Sequence, residues 1–210
     1  MRKIAAVFLA ALLLGGLCGC GSSSGQTEAV CGTWEYVGYY DSDAMLELFV
    51  HLDLYEEEIA LMDPAGIAYV EYVTFREDHT YTIACDTRQS SALAMSYYVQ
   101  AFDQFYEHRE ELEKCYGVSF GMMDRDTFFQ FYADLYGVSS YEGLIAMFTM
   151  STVDPSYLAE GEENGTFRIR GQRIYCTASD SDKEQYVRYD LEDDTLTLSF
   201  YQWDKSYTRK

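Results

Sequence analysis

The sequence predicts an α+β fold: an antiparallel meander of about eight short strands, a helix after the first, and a helical insertion between the third and fourth. Three observations predict it. Short runs of alternating apolar and polar residues, each bounded by turn-forming residues, recur on both sides of a central stretch. That stretch carries its apolar residues at helical spacing instead. The composition, 48% hydrophobic and 16% aromatic, supplies enough apolar surface for a packed core.

The first strand is Thr33 to Tyr40, opened by Gly32-Thr33-Trp34. Asp43 to Leu61 then places Met45, Leu48, Phe49, Leu52, Tyr55 and Ile59 on a helical repeat, and Pro64 stops it. Strands two and three are Ala68 to Arg76 and Thr80 to Asp86, joined by Arg76-Glu77-Asp78-His79. Val73, Phe75, Tyr81, Ile83 and Cys85 alternate with polar neighbours, as half-buried strands require. Residues 90–164 are the helical insertion. Its first helix puts Met95, Tyr98, Val99, Phe102, Phe105, Tyr106 and Leu112 on one face, with Gly117 as the C-cap. Tyr116-Gly117-Val118-Ser119 recurs as Tyr136-Gly137-Val138-Ser139, the mark of a reused helix–glycine corner. Ser139 and Glu142 form a capping box for the helix that follows.

The strand pattern resumes as Thr166 to Arg170, Arg173 to Ala178, Gln185 to Leu191, Thr195 to Trp203 and Ser206 to Arg209. The turns are Gly171-Gln172, Ser179 to Asp182, Glu192-Asp193-Asp194 and Asp204-Lys205. Leu196, Leu198 and Phe200 face one way, while Thr195, Thr197 and Ser199 face the other.

Ahead of the fold lies a targeting pattern. Arg2 and Lys3 precede an apolar run from Ile4 to Leu14, which Gly15-Gly16 ends before it reaches spanning length. Leu17-Cys18-Gly19-Cys20 resembles the lipobox of bacterial lipoproteins, with leucine at −3 and the modified cysteine after a small residue. The resemblance implies a signal peptide at residues 1–19, cleavage before Cys20 and a diacylglyceryl group, with palmitate-type chains, on its sulfur. Gly21-Ser22-Ser23-Ser24-Gly25 makes residues 20–30 a lipidated cysteine and flexible linker. The expected location is the cell membrane, lipid-anchored, on its extracytoplasmic face.

The net charge is −20, and removing Arg2 and Lys3 takes the mature chain to −22. Such a charge speaks against nucleic acid as a partner. Cys31, Cys85, Cys115 and Cys176 follow the lipobox at wide, irregular spacing, so metal binding is not expected and three disulfide pairings stay open.

Residues 31–210 are read as one domain, whose first and last thirds resemble the lipocalin-like, or calycin-like, small β-barrels, with the insertion foreign to that barrel. The residues that carry this are Gly32-x-Trp34, the hairpin Thr74-Phe75-Arg76-Glu77-Asp78-His79-Thr80-Tyr81 and the closing Asp194-Thr195-Leu196-Thr197-Leu198. The resemblance implies that Gly32, Trp34 and Arg209 plug one barrel end, the arginine stacking on the indole. It also implies an interior able to hold one small ligand. Phe75, Tyr81, Ile83, Phe167, Ile169, Leu198 and Phe200 are the candidate cavity wall.

Chemistry is sparse. His51, His79 and His108 have no ligand-pair spacing, and no nucleophile elbow, phosphate loop or dinucleotide fingerprint occurs. No catalytic residue, metal site or cofactor is assigned. Phe128, Phe129, Phe131, Tyr132 and Tyr136 crowd one short helix and form a candidate contact surface. The expected function is a membrane-anchored, non-enzymatic binding module for a small apolar or amphipathic ligand. The alternative is an interaction module for an envelope protein, with a solid barrel and that aromatic helix as the contact.

Overall fold

The computed structural model describes residues 23–153, 162–200 and 204–210. The signal segment, the lipobox and Cys20 therefore lie outside the described residues.

Eight strands form one closed antiparallel barrel in sequence order. They are β1 (Gly32–Tyr39), β2 (Ala68–Phe75), β3 (Thr80–Cys85), β4 (Glu163–Ile169), β5 (Arg173–Ala178), β6 (Glu184–Glu192), β7 (Thr195–Ser199) and β8 (Asp204–Arg209). Closure leaves no unpaired edge. Register follows the apolar alternation: Ile174 sits between Ile169 and Val187, and Leu196 between Leu191 and Tyr207. Asp204 and Lys205 are the first residues of β8, paired with Ser199 and Leu198, and not the turn their polarity suggested.

A meander returns every second turn to the same end. The start of β1, the β2–β3, β4–β5 and β6–β7 turns, and the end of β8 meet at one barrel end. Three backbone bonds tie them: Lys210 N–H to Thr33 O (3.0 Å), Arg209 N–H to Asp194 O and Phe167 N–H to His79 O (both 2.8 Å). His79 and Asp193 turn their corners in the left-handed region, at φ 65 and 49.

The chain divides into two compact units. The first combines the residues up to Trp34 with Thr74–Thr82 and Asn164–Lys210, and holds this barrel end. The second combines Glu35–Val73 with Ile83–Glu163. Before the barrel, α1 (Ser23–Val30) is a helix where a flexible linker was expected. Gly, Ser and Thr do not make it so by propensity. Its C-terminal carbonyls are instead taken up by tertiary donors, described below.

The helical unit contains α2 (Ser42–His51), α3 (Glu56–Leu61), α4 (Thr87–Glu107), α5 (Arg109–Tyr116), α6 (Arg125–Leu135) and α7 (Tyr141–Thr152). The single helix expected over Asp43–Leu61 is two, because Asp53 adopts φ 56 and breaks the repeat. The long helix likewise stops at Glu107, so Gly117 (φ 65) caps α5 rather than α4. Gly137 takes the same left-handed turn at φ 68, which makes the repeated tetrapeptide a reused corner. N-caps are Asp41, Asp86 and Asp124, and α7 is capped by Ser140, one residue later than expected. Its N3 residue is Gly143, which has no side chain to close a capping box.

Candidate functional site

The sealed barrel end is built around α1. Trp34 is fully buried and its Nε1–H donates to Val30 O at 2.8 Å. The Arg209 guanidinium lies over the indole, 4.2 Å from the ring centroid. It also donates to Ala29 O (2.7 Å) and Cys31 O (3.1 Å), the carbonyls left open where α1 ends. Gly32 has φ 141, and a side chain there would meet Arg209 Nη1 at 3.1 Å. Thus Gly32, Trp34 and Arg209 come together, and each identity has a local physical reason.

The candidate cavity residues are mostly buried, and several pack on one another at this end. Phe75, Tyr81, Phe167, Ile169 and Leu198 are buried. Phe75 packs edge-on against Phe167 (centroids 4.9 Å) and lies 6.4 Å from Tyr81, with His79 closing on Phe167 at 5.9 Å. Ile83 is half-buried and belongs to the other unit. Phe200 follows β7 and is 39% exposed, so it is not an inward wall residue.

The aromatic contact surface is also corrected. Phe128, Phe129 and Tyr132 are buried in the core of the helical unit, and Phe131 and Tyr136 are half-buried against it. Phe128 packs on Phe120 (5.2 Å), Phe129 stacks on Tyr141 (4.2 Å) and Phe131 meets Tyr116 (5.3 Å). The helix is apolar on several faces because α4, α5 and α7 pack against it within one shared core.

A group the sequence did not single out anchors that core. Glu58 is fully buried, and its Oε1 accepts both the Tyr116 hydroxyl (2.7 Å) and the Tyr132 hydroxyl (2.5 Å). Its Oε2 accepts the Tyr55 N–H (2.8 Å), closing a capping box. Burial, and then the Glu58 carboxylate, raise both phenols far above the ordinary tyrosine range. No cation is within ion-pair reach of Glu58 among the described residues.

The cysteines Cys31, Cys85, Cys115 and Cys176 are half-buried thiols. Burial raises the Cys31 thiol, and burial together with the Glu57 hydrogen bond pushes Cys115 up to about 11. Both are therefore protonated and weakly nucleophilic at neutral pH. No group of three potential metal-ligating side chains occurs among the described residues.

A second feature missed in the sequence is a groove of about 590 Å³ on the outer wall, lined by Arg170, Gln172, Arg173, Tyr175 and Arg188. The available signal was the Arg168-x-Arg170 alternation, which turns both side chains to the same face of β4 and its end. No protein-family model, curated protein or solved structure matches this chain.

Proposed function

We propose that this protein is an extracytoplasmic lipoprotein, anchored through Cys20, whose lipocalin-like barrel is a non-enzymatic binding module that engages its ligand on the outer wall. The lipobox-like Leu17-Cys18-Gly19-Cys20 supports the anchor, and the Gly32–Trp34–Arg209 closure supports the lipocalin-like build. The observation that carries the choice of surface is the interior packing. Phe75, Tyr81 and Phe167 pack their rings on one another at the closed end, while the arginine-lined groove opens outward. This keeps the solid barrel of an interaction module and moves its contact from the aromatic helix to the strands.

Two measurements test the reading. Cells expressing the chain are labelled with radioactive palmitate; incorporation that disappears in Cys20→Ala is the expected result, and an unlabelled chain refutes the anchor. A fluorescent fatty acid is then titrated against the purified protein. A filled barrel gives no saturable binding, whereas one tightly held fatty acid per chain refutes the outer-wall reading.

A further inference from the structure

Three of the five side chains lining the outer groove are arginines, and none is acidic. That composition stands out in a chain with 35 acidic and 15 basic residues. The tight β4–β5 turn, with Gly171 at φ 59, sets Arg170 against Arg173, whose carbonyl accepts the Arg170 N–H at 3.0 Å. Strand register then places Arg173 directly opposite Arg188. Like charges facing each other across strands repel. An acid at either position would remove that cost, and the same wall shows how: Arg168 grips Glu184 with Nε and Nη2, at 2.8 and 2.6 Å. Arg170, Arg173 and Arg188 have no ion pair among the described residues. Arg173 is braced over the Tyr186 ring, 4.6 Å from its centroid, and a guanidinium stacked on a ring keeps its in-plane N–H donors for another partner.

We propose that this groove binds the phosphate group of a phosphate ester. The inference rests on the reading that the barrel binds on its outside. Arginine forks match phosphate oxygens in pairs, and a phosphomonoester carries about −1.5 to −2 near pH 7, against −1 for a carboxylate. Its three terminal oxygens suit three guanidiniums. The groove is larger than the anion alone, and Tyr175, its ring held under the Arg168 guanidinium at 4.1 Å, is part of its wall. The same chemistry is offered by a soluble phosphomonoester and by the monoester headgroup of phosphatidic acid.

The test is a calorimetric titration of the full-length chain, expressed with its export segment and purified in non-ionic detergent, with glycerol 3-phosphate at low salt. Saturable binding is expected, and Arg173→Gln or Arg188→Gln weakens it by about tenfold or more. Binding weakens with added salt and tightens as pH rises through about 6, where the ester takes its second charge. Arg125→Gln, which removes the partner of Asp103 in the helical unit, leaves it unchanged. No saturable binding, or binding that survives the combined Arg173→Gln and Arg188→Gln substitutions, overturns the proposal. Phenylglyoxal modification of the unsubstituted protein gives a reading independent of variant folding. Protection of Arg173 and Arg188 by glycerol 3-phosphate supports the site, and equal modification with and without the ester overturns it.

Vesicles distinguish the source of the phosphate. Binding to phosphatidic acid but not phosphatidylcholine vesicles, reversed by glycerol 3-phosphate, assigns a headgroup. Binding of the ester without vesicle binding assigns a soluble ligand. The fatty-acid titration reports separately on the outer-wall reading, so the two failures are distinguishable.

Discussion

Replacing Glu58 by alanine tests the packing logic of the helical unit. The substitution removes the acceptor of two phenol hydroxyls and of the Tyr55 N–H. Tyr132 is fully buried and has no water to turn to; Tyr116 is half-buried; Tyr55 is exposed. Stranding a buried donor costs about 1–3 kcal/mol, and losing an N-terminal cap about 1 kcal/mol. Weighting each donor by its burial gives a loss of about 4 kcal/mol, which is a large part of a typical domain's stability. That corresponds to a melting temperature lower by roughly 10 °C for a chain of this size.

Glu58→Gln separates the terms. Its amide oxygen still accepts both phenols, while its NH₂ now faces the Tyr55 N–H, so the loss falls to about 1–2 kcal/mol. Urea unfolding followed by far-ultraviolet circular dichroism measures both variants. A loss below about 1 kcal/mol for Glu58→Ala would refute the view that this carboxyl holds α3, α5 and α6 together.

Arg209→Ala removes a cation stacked on Trp34 and two donors to the end of α1, so unfolding in urea shifts by about 1–3 kcal/mol; Arg209→Lys recovers only part of this because it lacks the planar fork. Gly165→Ala sets a Cβ 2.1 Å from Thr177 O on the paired strand, and calorimetry should show a lower melting temperature with about 1–3 kcal/mol lost to strain. Burial raises the phenol of Tyr98 up to about 12, and those of Tyr97 and Tyr132 higher still. Unfolded tyrosine ionises near pH 10, so the unfolded chain releases protons that the fold retains. Stability is therefore intact below about pH 10 and falls above it, by about 1.4 kcal/mol per pH unit for each such tyrosine; urea midpoints between pH 8 and 11 check the sign. Arg188→Glu replaces a like-charge pair with an opposite-charge one, so calorimetry should find a higher melting temperature while glycerol 3-phosphate binding disappears.

The strands were legible because period-two alternation and turn residues coincide: Leu196 and Leu198 face inward where the sequence put them, and Gly171 turns where its conformational freedom is needed. Helix segmentation was not, since it depends on single residues such as Asp53 and His108 that interrupt an otherwise continuous repeat. The Phe128–Tyr136 helix was ambiguous in principle. An all-round apolar helix reads the same whether it is surrounded by its own chain or reserved for a partner. The arginine groove was illegible for another reason: Arg173 and Arg188 are neighbours only through strand register. Glu58, Tyr116 and Tyr132 likewise meet only after three helices have packed.

The bond from Arg209 to Ala29 joins residues 180 positions apart in a chain of 210. Ala29 and Arg209 are therefore joined only when the first and eighth strands have come together, so no local stretch of the sequence can close this end by itself. Contacts of such long range also make folding slow. One side chain, Arg209, thus works as a clasp: without it nearly all of the core would remain, yet α1 would lose the two donors that hold its end.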